Sequence, residues 1–273
     1  MQDNLRDLQM CELNILNEVI KICEKNNLTY YMMGGTFLGA VRHKGFIPWD
    51  DDIDISLSRP EYEKLLNILK EQLPKNFIVD NFLDNDESLI YATRVEDSNI
   101  KVLDKAANVE CVRNAWIDIF PLDGMPNNSI LRKLHEWRLL YLRLKFKYSI
   151  FSKSVTQSKK HRPIHERILI FLGNHIKFEK ILNKKECLRD LDKALKKYDY
   201  EKSKYVVNFM GAYEFKEMFK KEIYENCKLY DFENVKLNAP KDYDFVLTQM
   251  YGDYMKVPPV DERNKHCIEM IKK

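Results

Sequence analysis

Apolar side chains at Leu5, Leu8, Leu13, Leu16, Val19, Ile20 and Cys23 recur at the spacing of one helical face, so the chain opens with an amphipathic helix that ends near Asn26 and Asn27. Residues 28–33 have β-type composition and run into Gly34-Gly35, after which residues 36–42 read as a short helix. Gly45 and Pro48 mark a loop. From Asp52 polar and apolar residues alternate through Leu57, which predicts a strand, and Ser58 with Glu61 forms a capping box for a helix carrying Pro60 in its first turn. Residues 77–79, 89–92 and 116–120 are further strand candidates, the last ended by Pro121.

From Ser129 to about Tyr198 the pattern is helical, with a new helix at Pro163 and another over residues 184–198. A strand over residues 205–209, a hairpin about Glu233-Asn234 and a helix from Asp242 to Tyr251 follow. The fold class read from this order is mixed α/β, a mixed sheet flanked by helices. Residues 1–127 form a catalytic core, 128–200 an inserted helical basic region, and 201–273 a segment that completes the core.

Composition narrows the class. In 273 residues, 45% hydrophobic and 32% charged, with 8 Gly and 9 Pro, nothing suggests disorder or low complexity. No apolar run approaches the ~20 residues of a membrane span. The first residues lack the basic start and apolar stretch of a secretory signal, which gives a cytoplasmic expectation. The six cysteines, with no C-x-x-C pair, read as reduced thiols rather than zinc ligands. The net charge of +3 does not imply nucleic acid, but eleven basic and two acidic residues fall between Arg132 and Arg167.

Asp52 and Asp54 lie two apart on a predicted strand and so share one face, while Ile53 and Ile55 turn to the other. Paired carboxylates suit Mg2+ or Mn2+ held together with substrate phosphates. Asp118, between Ile117 and Ile119, repeats the arrangement and supplies a third acid if its strand lies beside the first. A glycine turn before a helix, at Gly34-Gly35-Thr36, lets backbone amides approach a phosphate. Together these read as phosphoryl or nucleotidyl transfer. An EF-hand register through Asp50, Asp52, Asp54, Ser58 and Glu61 fails because Ile55 occupies the position that requires glycine.

The run Met33-Gly34-Gly35-Thr36, Gly39-Ala40-Val41-Arg42-His43 and Gly45-Phe46-Ile47-Pro48-Trp49-Asp50-Asp51-Asp52-Ile53-Asp54-Ile55 resembles the signature of the LicD family of phosphotransferases, to which fukutin and fukutin-related protein are also similar. Residues 118–124 resemble its second motif, and Tyr251-Gly252-Asp253-Tyr254 with Pro258-Pro259, Arg263 and His266 its C-terminal one. The resemblance implies a nucleotidyltransferase-like fold and transfer of a phospho-alcohol, foremost phosphocholine from CDP-choline, to a sugar hydroxyl of a teichoic acid or lipopolysaccharide precursor. Asp52, Asp54 and Asp118 then serve as catalytic and metal-binding residues. Gly34, Gly35, Thr36, Arg42, His43 and Arg94 become candidates for the donor phosphates or nucleotide. Trp49, Tyr30, Tyr31, Tyr251 and His266 are candidates for choline or substrate contact.

Leu131, Leu134, Trp137, Leu140, Tyr141 and Leu144 recur at helical spacing among Arg132, Lys133, Arg138, Arg143, Lys145 and Lys147. Such a helix either lies on an anionic membrane, beside a lipid-linked acceptor, or turns its apolar stripe into the core. Nucleotidyl transfer and a non-catalytic adaptor stand as the competing functions.

Overall fold

The computed structural model describes residues 2–85, 88, 90–104, 111–151, 178–260, 263 and 268–271. Along the chain these form α1 (Gln2–Lys25), β1 (Tyr30–Met32), α2 (Gly34–His43), β2 (Asp54–Ser58), α3 (Arg59–Gln72), β3 (Phe77–Asp80), β4 (Thr93–Asp104), β5 (Cys111–Met125) and α4 (Ser129–Ser149). They continue with α5 (Lys184–Leu195), β6 (Tyr205–Val207), β7 (Met218–Lys220), α6 (Glu222–Glu225), β8 (Cys227–Phe232), β9 (Val235–Pro240), α7 (Tyr243–Tyr251) and β10 (Ile268–Met270).

The main sheet runs β1-β2-β5-β4-β10, with β3 beside β4 and β6–β7 added to the end of β5. β2 and β5 are parallel, and the other described pairings are antiparallel. Ile53, Ile55, Leu57, Ile117 and Ile119 are fully buried in the core with the apolar stripe of α1. The period of two therefore sends Asp54 and Asp118 to the opposite face, where β2 and β5 pair them directly. The fold is the mixed α/β arrangement expected.

Three local readings change. The strand expected at residues 89–92 begins instead at Thr93, and β4 then runs through a polar stretch that propensity alone disfavours. Pro121 does not end its strand: β4 pairs with β5 as far as Ile119 and β6 pairs from Asp123, so at Pro121 β5 has β2 as its one neighbour and no second ladder needs the missing N–H. Ser58 caps α3 as expected, accepting from Glu61 N, but one Glu61 oxygen accepts from Thr29 N, tying α3 to the approach to β1.

On α4 the buried stripe is His135, Leu139, Leu142 and Phe146, packed with α5. The stripe read from sequence faces out: Leu134 is 63% exposed, Trp137 69% and Tyr141 65%. The helix expected at Pro163 lies outside the described residues. The five described cysteines are free thiols, and no described helix is long and apolar enough to cross a membrane.

Candidate active site

The strand-turn-helix from β1 through Gly34 to α2 and the loop leading into β2 wrap a pocket of about 400 Å3. Asp50, Asp52 and Asp54 line it together with Gly34, Gly35 and Arg42. Gly34 has φ +50°, a left-handed turn that glycine adopts without strain. The two glycines also allow close approach, since a Cβ on Gly34 would lie 3.2 Å from Asp54 Oδ2 and one on Gly35 2.4 Å from Asp50 Oδ2. The N-terminus of α2, with no acidic residue in its first turn, thus faces the acids with its positive end.

Like charges are concentrated here. One carboxylate oxygen each from Asp50, Asp51 and Asp52 lie within 4.8 Å of one another. Burial, then the charges of Asp52, Asp118, Asp50 and Glu217, push the Asp54 carboxyl well above the usual range. Behind the cluster, Glu12 of α1 is buried, its Oε2 without a hydrogen-bond partner among the described residues, and burial with the charges of Asp52, Asp51 and Asp50 raises it as well. An oxygen-only donor set of clustered carboxylates fits a divalent cation.

The other candidates divide between the pocket and its surroundings. Thr36 is buried, its hydroxyl accepting from Asp54 N at 2.9 Å, so it locks α2 to β2. Arg42 lines the pocket, donating from Nη1 to Tyr254 O (2.8 Å) and from Nε to His43 Nε2 (2.9 Å). Burial and the Arg42 charge lower the His43 pKa, in keeping with Nε2 accepting from Arg42 Nε. Trp49 lines the pocket and carries Arg263 over its ring at 4.2 Å. Tyr251 also lines it, edge-on to Tyr213 at 4.9 Å. Tyr30 and Tyr31 are core residues of β1 and do not reach the pocket, while His266 lies outside the described residues.

Asp118 lies opposite Asp54 on β5 but directs its oxygens to protein donors, Oδ1 to Arg94 Nε (3.0 Å) and Oδ2 to Trp116 Nε1 (3.2 Å). Asp118 and Arg94 line a neighbouring cavity, and Phe120 forms a wall of both.

Sequence reading missed Glu12, Tyr213 and Glu217, and it weighed Asp50 as a ligand only in the calcium register that fails. Glu12 sits four residues from both Leu8 and Leu16, a charge on the buried face of an otherwise apolar helix, and that mismatch was its signal. Glu217 is buried on the pocket wall, where its oxygens accept from Tyr213 N (3.0 Å) and Asn208 Nδ2 (2.7 Å) and hold the 208–213 loop. Burial raises its pKa to about 7. No local pattern marks it, because its partners come from the loop's tertiary course.

Residues 27–169 match the family model described as LicD/FKTN/FKRP, nucleotidyltransferase domain. The chain is 29% identical to the lipopolysaccharide cholinephosphotransferase LicD of Haemophilus influenzae, over 97% of this chain and 96% of that protein. It is 39% identical over 51 residues to the human ribitol 5-phosphate transferase FKRP, covering 17% of this chain and 10% of that protein. With more than half of its residues inside the family model and the signature glycines and carboxylates gathered in one pocket, the chain belongs to the LicD family.

Proposed function

We propose that this transferase moves phosphocholine from CDP-choline to a sugar hydroxyl of a cell-surface glycan precursor, of the teichoic acid or lipopolysaccharide type, and releases CMP. The observation that carries this reading is the meeting of Asp50, Asp52 and Asp54 with the N-terminus of α2 in one pocket. Similarity along nearly the whole chain to a cholinephosphotransferase supports choline as the alcohol.

Asp50, Asp52 and Asp54 would hold a divalent cation, Mg2+ or Mn2+, which supplies charge neutralisation on the donor diphosphate. Gly34 and Gly35 admit that diphosphate to the amides of α2, with Arg42 and Lys256 adding positive charge at the pocket. Tyr213, Tyr251 and Trp49 offer aromatic surface to the quaternary ammonium. The acceptor oxygen bonds to the phosphorus that carries choline while the bond from that phosphorus to the bridging oxygen breaks. The bridging oxygen leaves with CMP and the bonding pair. Asp118, oriented by Arg94 and Trp116, takes the hydroxyl proton.

We also propose that α4 rests on the anionic inner face of the cell membrane, where a lipid-linked acceptor is carried. Its exposed Ile130, Leu134, Trp137, Tyr141 and Leu144 share one face, with Lys133 along one flank and Arg138 along the other.

CMP release from CDP-choline, CDP-ribitol and CDP-glycerol, measured with Mg2+ and with or without a crude glycan acceptor, tests the reaction. Acceptor-stimulated CMP from CDP-choline, lost in Asp54→Asn, is expected; a different productive donor names a different alcohol. Pyrophosphate as the product would indicate nucleotidyl transfer, and no turnover with any donor would favour an adaptor.

A further inference from the structure

Beside the acid-lined pocket, across Phe120, lies a second cavity of about 210 Å3 whose charged lining is Arg94, Asp118, Arg143 and Lys147, with Phe146 and Met210 among its apolar walls. Three cations stand there, Arg94 paired with Asp118 and Arg143 with Glu214. Arg94 is set for recognition: its guanidinium stacks on Trp116 at 4.2 Å, its Nε donates to Asp118, and its other nitrogens bond no described residue. An arginine fixed by an aromatic face and one carboxylate on the lining of a cavity matches a phosphate better than a surface ion pair does.

Arg143 comes from α4 and is held from behind, Nη1 donating to Phe209 O at 2.7 Å and pairing with Glu214 at 3.2 Å. Its side chain is 13% exposed, so this part of the basic stretch faces the cavity and not the solvent. Lys147, four residues on, lies on the same side of the helix and brings a third positive charge.

The location says which phosphate. Asp118 faces Asp54 across the β2–β5 ladder, so the cavity begins about one strand spacing, ~4.8 Å, from the carboxylates of the first pocket. A molecule with its phosphate on Arg94 extends past Phe120 toward Asp54, the side from which an acceptor must come if the donor fills the first pocket. We propose that this cavity binds the phosphate of the acceptor, a glycosyl phosphate, and so positions the sugar hydroxyl at the reaction centre. The assignment deepens the phosphotransferase reading and rests on it for the place of the donor.

Calorimetric titration of the full chain with glucose 1-phosphate, with glucose and with CDP-choline, in Mg2+, tests it on wild type, Lys147→Glu and Arg94→Gln. Glucose 1-phosphate is expected to bind saturably, glucose not, and bound CDP-choline should leave the sugar phosphate's affinity intact. Lys147→Glu should weaken glucose 1-phosphate by about tenfold or more, the loss of a charged contact, with CDP-choline affinity unchanged. Arg94→Gln should weaken the sugar phosphate similarly. Displacement of glucose 1-phosphate by CDP-choline, or weaker CDP-choline binding in Lys147→Glu, gives the cavity to the donor's phosphates and overturns the proposal. Absence of saturable glucose 1-phosphate binding to folded wild type at millimolar concentration overturns it too. Sugar-phosphate binding without any CDP-choline binding would sink the donor reading while supporting the cavity's assignment.

Discussion

Asp54 is surrounded by charges of its own sign, and its stability cost follows from its titration. Its folded pKa is raised by burial and by Asp52, Asp118, Asp50 and Glu217, so the folded chain holds the proton more tightly than the unfolded one. The metal-free contribution of this carboxyl to stability is therefore fully present below the ordinary carboxylate range and is lost as pH rises through the raised folded value. Glu217 adds a decline between its ordinary 4.5 and about 7. A bound cation removes the penalty at Asp54, so Mg2+ should raise the melting temperature strongly at pH 8 and little at pH 5. Asp54→Asn should melt higher than wild type without metal at pH 8, lose most of the Mg2+ increment, and lower turnover by on the order of a hundredfold or more. An equal Mg2+ increment in wild type and Asp54→Asn, read by scanning calorimetry, would move the cation away from this carboxylate.

At the scale of elements, α4 serves two environments. Its inner stripe packs on α5, and its outer stripe leaves Ile130 71% exposed and Trp137 69% exposed. The basic residues do not act alike: Lys145 pairs with Asp190 at 3.1 Å and Arg143 turns inward, so they are poor probes of membrane contact. Trp137→Ser with Tyr141→Ser should abolish co-sedimentation with phosphatidylglycerol vesicles while leaving the fold intact, because both side chains are more than half exposed. Binding that persists in this variant would remove the membrane from the account. The same helix marks the limit of sequence reading. Its existence was legible, but two apolar stripes share its sequence, and periodicity does not say which meets a partner. The glycine turn and β2 were legible because local pattern sets them, although β2 begins at Asp54 and Asp52 reaches the same pocket from the loop before it. The side-by-side placement of Asp54 and Asp118 needed the parallel register, and the start of β4 at Thr93 came from pairing rather than propensity.

Across the whole molecule, the pocket draws its walls from residues 33–54, from the 208–217 loop and from the end of α7 onward, so the site depends on how distant segments are held together. One of the ties is a buried polar network at the junction of the two apolar clusters. Arg59 of α3 makes paired hydrogen bonds to Asp123 at 2.6 and 2.8 Å and donates to Tyr91 Oη, whose hydroxyl donates to Asp192 of α5. Asp123 belongs to the stretch that resembles the family's second motif, yet its partner makes it an anchor between the sheet and the helical region rather than a site residue. Arg59→Met should leave Asp123, 2% exposed, without its cation and cost about 3–5 kcal/mol in denaturant unfolding. Adding Asp123→Leu should recover much of that loss, because removing both partners of a buried pair costs less than stranding one. A loss below about 1 kcal/mol in Arg59→Met, or a double variant whose loss equals the sum of the singles, would mean that apolar packing alone joins the two clusters.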